Sequence, residues 1–143
     1  QMANCPAVIT CTDVMADEHP ELVVAYMKAM IKVGRWANEH KHAAAAILNR
    51  QTFYRDVEDT YQGIKDVDMV PNLSPKNLVS IDIGKDFMLR NSYIHNDFDV
   101  NEWAAPQFLE QAARELLDEE WTLRSTAKLP QPTDLDVPDA RLG

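Results

Sequence analysis

The chain has 143 residues, 45% of them apolar, which suits one domain able to bury about two-thirds of its unfolded surface. Its net charge of −9 argues against nucleic acid and against an anionic bilayer, because no basic stripe is present to displace counterions. Four glycines are few for a phosphate-cradling loop, and no cofactor is expected.

No apolar run approaches the roughly 20 residues of a membrane span. The first residues lack the basic region and apolar core of a signal peptide, which favours the cytoplasm and leaves the compartment otherwise open. Cys5 and Cys11 are the two cysteines. Along an extended segment they lie roughly 20 Å apart, beyond the reach of a disulfide, so packed thiols are expected.

The first element is expected at Ala7-Val-Ile-Thr-Cys-Thr12, a short β-branched run that reads as a strand. Val8, Thr10 and Thr12 face one way, and Ile9 and Cys11 the other. A lone strand leaves its backbone groups unpaired, so this one must find a mate. Residues 13–19 read as a turn, and Pro20 opens a helix at a position that tolerates proline.

That helix, residues 20–38, organises the rest. Glu21, Lys28, Lys32 and Arg35 fall in one narrow polar stripe of roughly 60°. Leu22, Tyr26, Ala29, Met30, Val33 and Ala37 line the opposite side, with Val23, Val24, Met27 and Ile31 between. So little polar surface implies a central helix wrapped on nearly all sides, by its own chain or by a copy of itself. A short helix follows at Lys41–Asn49. Thr52 is expected to cap a third helix running to about Gln62, with Gly63 as its stop.

Residues 64–73 read as a loop. Ser74-Pro75 then starts a helix that runs to about Ser92 and is apolar on two sides, Leu78, Ile81, Met88 and Leu89 on one, Val79, Ile83 and Phe87 on the other. After an Asn- and Asp-rich linker at 93–99 comes a single turn around residues 101–104. A last helix is expected from Ala105 to about Leu123, with Leu109, Ala112, Ala113 and Leu116 inside. The fold class is therefore mainly α, about five helices with one short N-terminal strand. A single helical domain is expected over residues 1–127, followed by a Pro-rich arm at 128–143.

Few constellations carry chemistry. Glu39-His40-Lys41-His42 has the look of a metal corner, yet histidines at i and i+2 do not share a helical face, and no metal is expected. Asp56, Glu58, Asp59 and the Asp66–Asp68 pair read as solvated acids. Trp36 and Trp103 are candidates for an aromatic pocket, with core anchoring as the favoured reading. Asn4-Cys5-Pro6 is the one nucleophile neighbourhood, but no histidine precedes His19 and no arginine precedes Arg35 to generate a thiolate.

The order of strand, turn and Pro-started helix closing on Gly34-Arg-Trp-Ala37, then Phe87-Met-Leu-Arg-Asn91 and Asn101-Glu-Trp-Ala-Ala-Pro-Gln-Phe-Leu109, resembles a known pattern. It is similar to the C-terminal part of periplasmic-solute-binding-like proteins of the nitrate/sulfonate/taurine and thiamine-precursor type. The similarity covers most of residues 3–117. It implies a part of a two-lobed α/β fold whose ligand lies between the lobes. The family's desulfinase branch has its cysteine nucleophile in an Asn-Cys-Pro context, with the partner histidine and arginine in an N-terminal half. The catalytic role is not carried to Cys5, because the residues after Pro6 align with a later strand. Asn4 and Cys5 are put forward as ligand-binding residues only.

The resulting expectation is a non-catalytic solute-binding-like module or fragment that self-associates, most simply as a dimer, with a small-molecule ligand of unknown identity. Two alternatives stand beside it. One is a fragment of a desulfinase-type enzyme that needs a second chain; the other is an oligomeric structural or interaction protein with no small ligand.

Overall fold

A computed structural model describes residues 7–51 and 56–126. The described chain is mainly helical: α1 (Asp13–Glu18), α2 (Pro20–Glu39), α3 (Lys41–Asn49), α4 (Val57–Ile64), α5 (Pro75–Arg90), α6 (Val100–Trp103) and α7 (Pro106–Thr126). No described helix is long and apolar enough to cross a membrane. The expected arm at 128–143 and the expected cap at Thr52 lie outside the described residues.

The core forms where α7 lies on α2. Val24 and Ile31 of α2 meet Ala112 and Leu116 of α7, and Met27, Val70, Phe108, Leu109 and Ala113 pack around them. Alanine at 112 lets the two helices approach, and Leu116 is only 1% exposed. A second contact joins α3 to α4. Ala44 and Ala45 are buried there, and Asn49 Nδ2 donates to the hydroxyl of the buried Thr60 at 3.2 Å. The His42 and Tyr61 rings stack at 3.7 Å across the same pair.

The polar stripe of α2 runs alongside α7. Lys28 pairs with Glu115 at 3.0 Å and with Glu119, Lys32 reaches Glu119 at 3.6 Å, and Arg35 pairs with Glu120 at 2.6 Å. The cations are taken up by α7, so the helix turns its apolar side outward. Leu22, Tyr26, Val33 and Trp36 are between 41% and 59% exposed, with Ala25 and Ala29 bare between them. The wrapping expected of this helix is thus half supplied by α7.

Three local expectations are corrected. Residues 7–12 form no strand, and none occurs among the described residues. Residues 7–11 make no backbone hydrogen bond there, because no neighbouring edge offers one. The turn expected at 13–19 is the short helix α1, started by Thr12, whose Oγ1 accepts from Met15 N at 3.2 Å. Asp56 caps α4 by accepting from Asp59 N at 2.8 Å, and Gly63 sits inside that helix instead of ending it. Among the described residues there are therefore seven helices beside the expected five, one being the single turn expected near 101–104.

Candidate functional site

Asn4 and Cys5 lie outside the described residues, so the site is built from what the fold brings together elsewhere. The irregular segment 7–12 runs over the N-terminal half of α2 and roofs an apolar cleft of about 620 Å³. Leu22, Val23, Tyr26 and Met27 of α2 form one wall, and Leu78 and Ile81 of α5 another. The corner between α6 and α7 closes it with Trp103, Ala104, Phe108 and Leu109. This volume is in the range of clefts that take a drug-sized molecule.

Each wall has a sequence reason. Asp99 caps α6 by accepting from Asn101 N at 2.7 Å and Glu102 N at 3.4 Å, which fixes Trp103 on the last position of that turn. Pro106 at the start of α7 forces Ala105 out of helical geometry, so the chain bends and aims Phe108 inward. Trp103 rests against Phe98, ring centroids 5.6 Å apart, and keeps 48% of its surface exposed.

The polar atoms of the lining divide into spent and free. Asn72 Oδ1 accepts from Ser74 N at 3.3 Å and from Asn77 Nδ2 at 2.8 Å, so both amides are occupied with one another. Thr12 is the cap of α1. Thr10, the Tyr26 hydroxyl, the Cys11 thiol and the Asp13 carboxylate make no bond among the described residues, and Cys11 is exposed. Asp13 is the one charged side chain on the described lining, and neither lysine, arginine nor histidine joins it.

A second cavity, about 510 Å³, opens beside Lys85 between α5 and the 97–101 turn. Lys85 is nearly buried. Its ammonium lies 2.9 Å from Asp97 and 3.0 Å from Asp82, and donates to the Phe98 carbonyl at 3.1 Å. Asp97 and then Asp82 hold the amine protonated well above its ordinary range, and Lys85 in turn holds the Asp97 carboxyl below its own. The backbone N–H groups of Asn101 and Glu102 do the same for Asp99. A locked ammonium is neither a base nor a nucleophile. The cluster fastens the 91–99 connection to α5.

The other sequence candidates are placed apart from the cleft. His40 stacks on Trp36 at 5.1 Å, and His42 faces Tyr61, so the two imidazoles serve different neighbours. No three described His, Cys, Asp or Glu side chains group closely enough to hold a metal. Asp68 accepts from Asn38 Nδ2 at 2.7 Å and Val70 N at 3.0 Å, bonds that lower its carboxyl, Asn38 first. Glu58 accepts from Gln62 at 2.7 Å. Trp36 is 41% exposed on the bare side of α2 and is not a core anchor. Trp103 does line a pocket, and its neighbours Phe108 and Leu109 were visible in the Trp-Ala-Ala-Pro-x-Phe-Leu string. The contribution of Leu78 and Ile81 had no sequence signal beyond helical spacing. No family model matches this chain, and neither a curated protein nor a solved structure is similar to it.

Proposed function

We propose that this chain is a non-catalytic binding module of the solute-binding-like kind, acting in a self-associated form. The observation that carries the reading is the cleft under residues 7–12, apolar on three walls and of small-molecule size. Its ionisable lining groups are Asp13, Cys11 and Tyr26, and no histidine, lysine or arginine joins the Cys11 thiol on the described lining. Such a lining supports holding a molecule over transforming it. The bare side of α2 supports self-association, because contiguous apolar patches of several hundred Å² are seldom left open on a monomer.

The test is saturable binding of N-phenyl-1-naphthylamine, an uncharged aromatic fluorophore, followed by energy transfer from tryptophan. Uptake near one probe per chain is expected, reduced at least about tenfold in affinity by Ile81→Asp, which sets a carboxylate in the cleft wall. Absence of saturable uptake, or uptake indifferent to Ile81→Asp, would remove the reading.

A further inference from the structure

From the charge of the lining we infer that the cleft selects small apolar molecules without a negative charge and rejects carboxylates and sulfonates of the same shape. This inference rests on the binding reading above and adds the class of ligand. An anion entering a low-dielectric cleft must replace its water by cations or by converging donors. Here no lysine, arginine or histidine lines the described walls, and Asp13 presents an unpaired carboxylate at the rim. Asn72 and Asn77, which have amide donors to offer, spend them on the Val70 and Asn72 carbonyls and on each other. Two cations on the wall-forming helices are engaged elsewhere: Lys28 is held by Glu119 and Glu115 on α7, and Lys85 by Asp97 and Asp82. The net charge of −9 repels an anion before it arrives.

One feature of the cleft acts the other way. The first turn of α7 carries no acidic residue, and its free N–H groups lie near Ala105 and Phe108. Pro106 withholds one of those donors. A helix end that competes with an unscreened carboxylate and lacks any side-chain cation does not make an anion site. For a neutral molecule, by contrast, the cleft supplies the rings of Trp103, Phe108 and Tyr26 and the uncommitted hydroxyls of Tyr26 and Thr10. A molecule carrying a single positive charge gains from Asp13 as well.

The experiment compares two probes with one ring system, N-phenyl-1-naphthylamine and 8-anilinonaphthalene-1-sulfonate, which differ by the sulfonate. On the wild-type chain the neutral probe is expected to bind at least about tenfold more tightly. Asp13→Lys is expected to narrow that gap several-fold by strengthening the sulfonate alone. Thr10→Lys, in a segment with no helix to disturb, supplies the same charge should Asp13→Lys weaken α1, and is expected to act in the same direction. Equal or tighter binding of the sulfonate by the wild type overturns the inference while the binding module stands, and points to the α7 end as an anion seat. A gap that neither lysine variant changes overturns it too, since the discrimination then comes from the whole molecule and not from the cleft. Failure of the neutral probe to bind at all removes the binding reading itself.

Discussion

Gly34 sits where the 68–70 loop crosses α2, and a Cβ there would lie 2.5 Å from the Met69 carbonyl oxygen and 2.8 Å from the Val70 Cα. Both are backbone atoms, which cannot rotate away. The crossing is held from the same helix by Asn38, whose side chain accepts from Met69 N at 3.0 Å and donates to Asp68. Lys41 adds bonds to the Ile64 and Val67 carbonyls. Gly34→Ala is therefore expected to destabilise the fold by about 1–3 kcal/mol, despite alanine's better helix propensity, as measured by urea denaturation. Ser92 poses the opposite case. It follows α5 with φ 59, the left-handed region, while Tyr93 N bonds Met88 O at 2.9 Å and Ser92 N bonds Leu89 O at 3.1 Å. That is the Schellman arrangement, in which glycine is the unstrained residue. Ser92→Gly is expected to stabilise by about 0.5–1 kcal/mol, read as a rise of a few degrees in the thermal midpoint. Neither residue could be singled out beforehand: glycine within a helical pattern reads as a weak point, and a serine in αL has no one-residue signature.

Among elements, the pairing of α2 with α7 explains both what the sequence showed and what it hid. The inner face of α7, Leu109, Ala112, Ala113 and Leu116, follows from 3.6-residue periodicity, and these residues do pack on the core. Periodicity on α2 located a polar stripe but could not say that another helix would meet it. Five acids in the last helix made that possible, since Glu115, Glu119 and Glu120 lie along the edge beside Lys28, Lys32 and Arg35. The segment at 7–12 shows the same limit in reverse. Its β-branched composition is real, yet a strand exists only where an edge exists to pair with it. The charged seam sets a pH response. Lys28 holds the Glu119 carboxyl below its ordinary value of 4.5, and Gln111 and then Lys28 do so for Glu115. A depressed carboxyl contributes stability that is complete above its unfolded value and is lost as pH falls through the folded one. Thermal midpoints are thus expected to stay level near neutrality and to fall once pH drops below about 4.5, less steeply in Glu119→Gln. Lys28, raised by Glu119 and Glu115, adds stability below its ordinary 10.5 that is lost as pH climbs past it. These side chains are largely solvated, so added salt should shrink the effect. An acid profile identical in Glu119→Gln and wild type would dissociate the seam from acid stability.

For the whole molecule the decisive quantity is how little is enclosed. Eight hydrophobic residues are buried among those described, four of them alanines, and Leu116 is the largest side chain that is fully covered. Meanwhile α2 leaves Leu22, Tyr26, Val33 and Trp36 bare, and α5 leaves Val79, Ile83 and Phe87 in one row, each more than half exposed. The row on α5 is one of the two apolar sides read from the sequence; burial between neighbours was expected of it, and no described helix supplies the neighbour. A second copy of the chain is the cover whose availability rises with concentration, and a two-fold pairing of α2 faces would set Ala25 and Ala29 where two helices can approach closely. Dimers are accordingly expected in light scattering at low micromolar concentration, with stability that depends on concentration. Val33→Lys places a charge at the middle of the bare face, away from the α7 contact, and should yield monomers that keep their helical circular dichroism. Ile83→Lys makes the same change on α5 and separates the two faces: the variant that dissociates the pair identifies the one in use. A strictly monomeric wild type over this range would mean that the open faces meet a different partner, and the self-association would have to be given up.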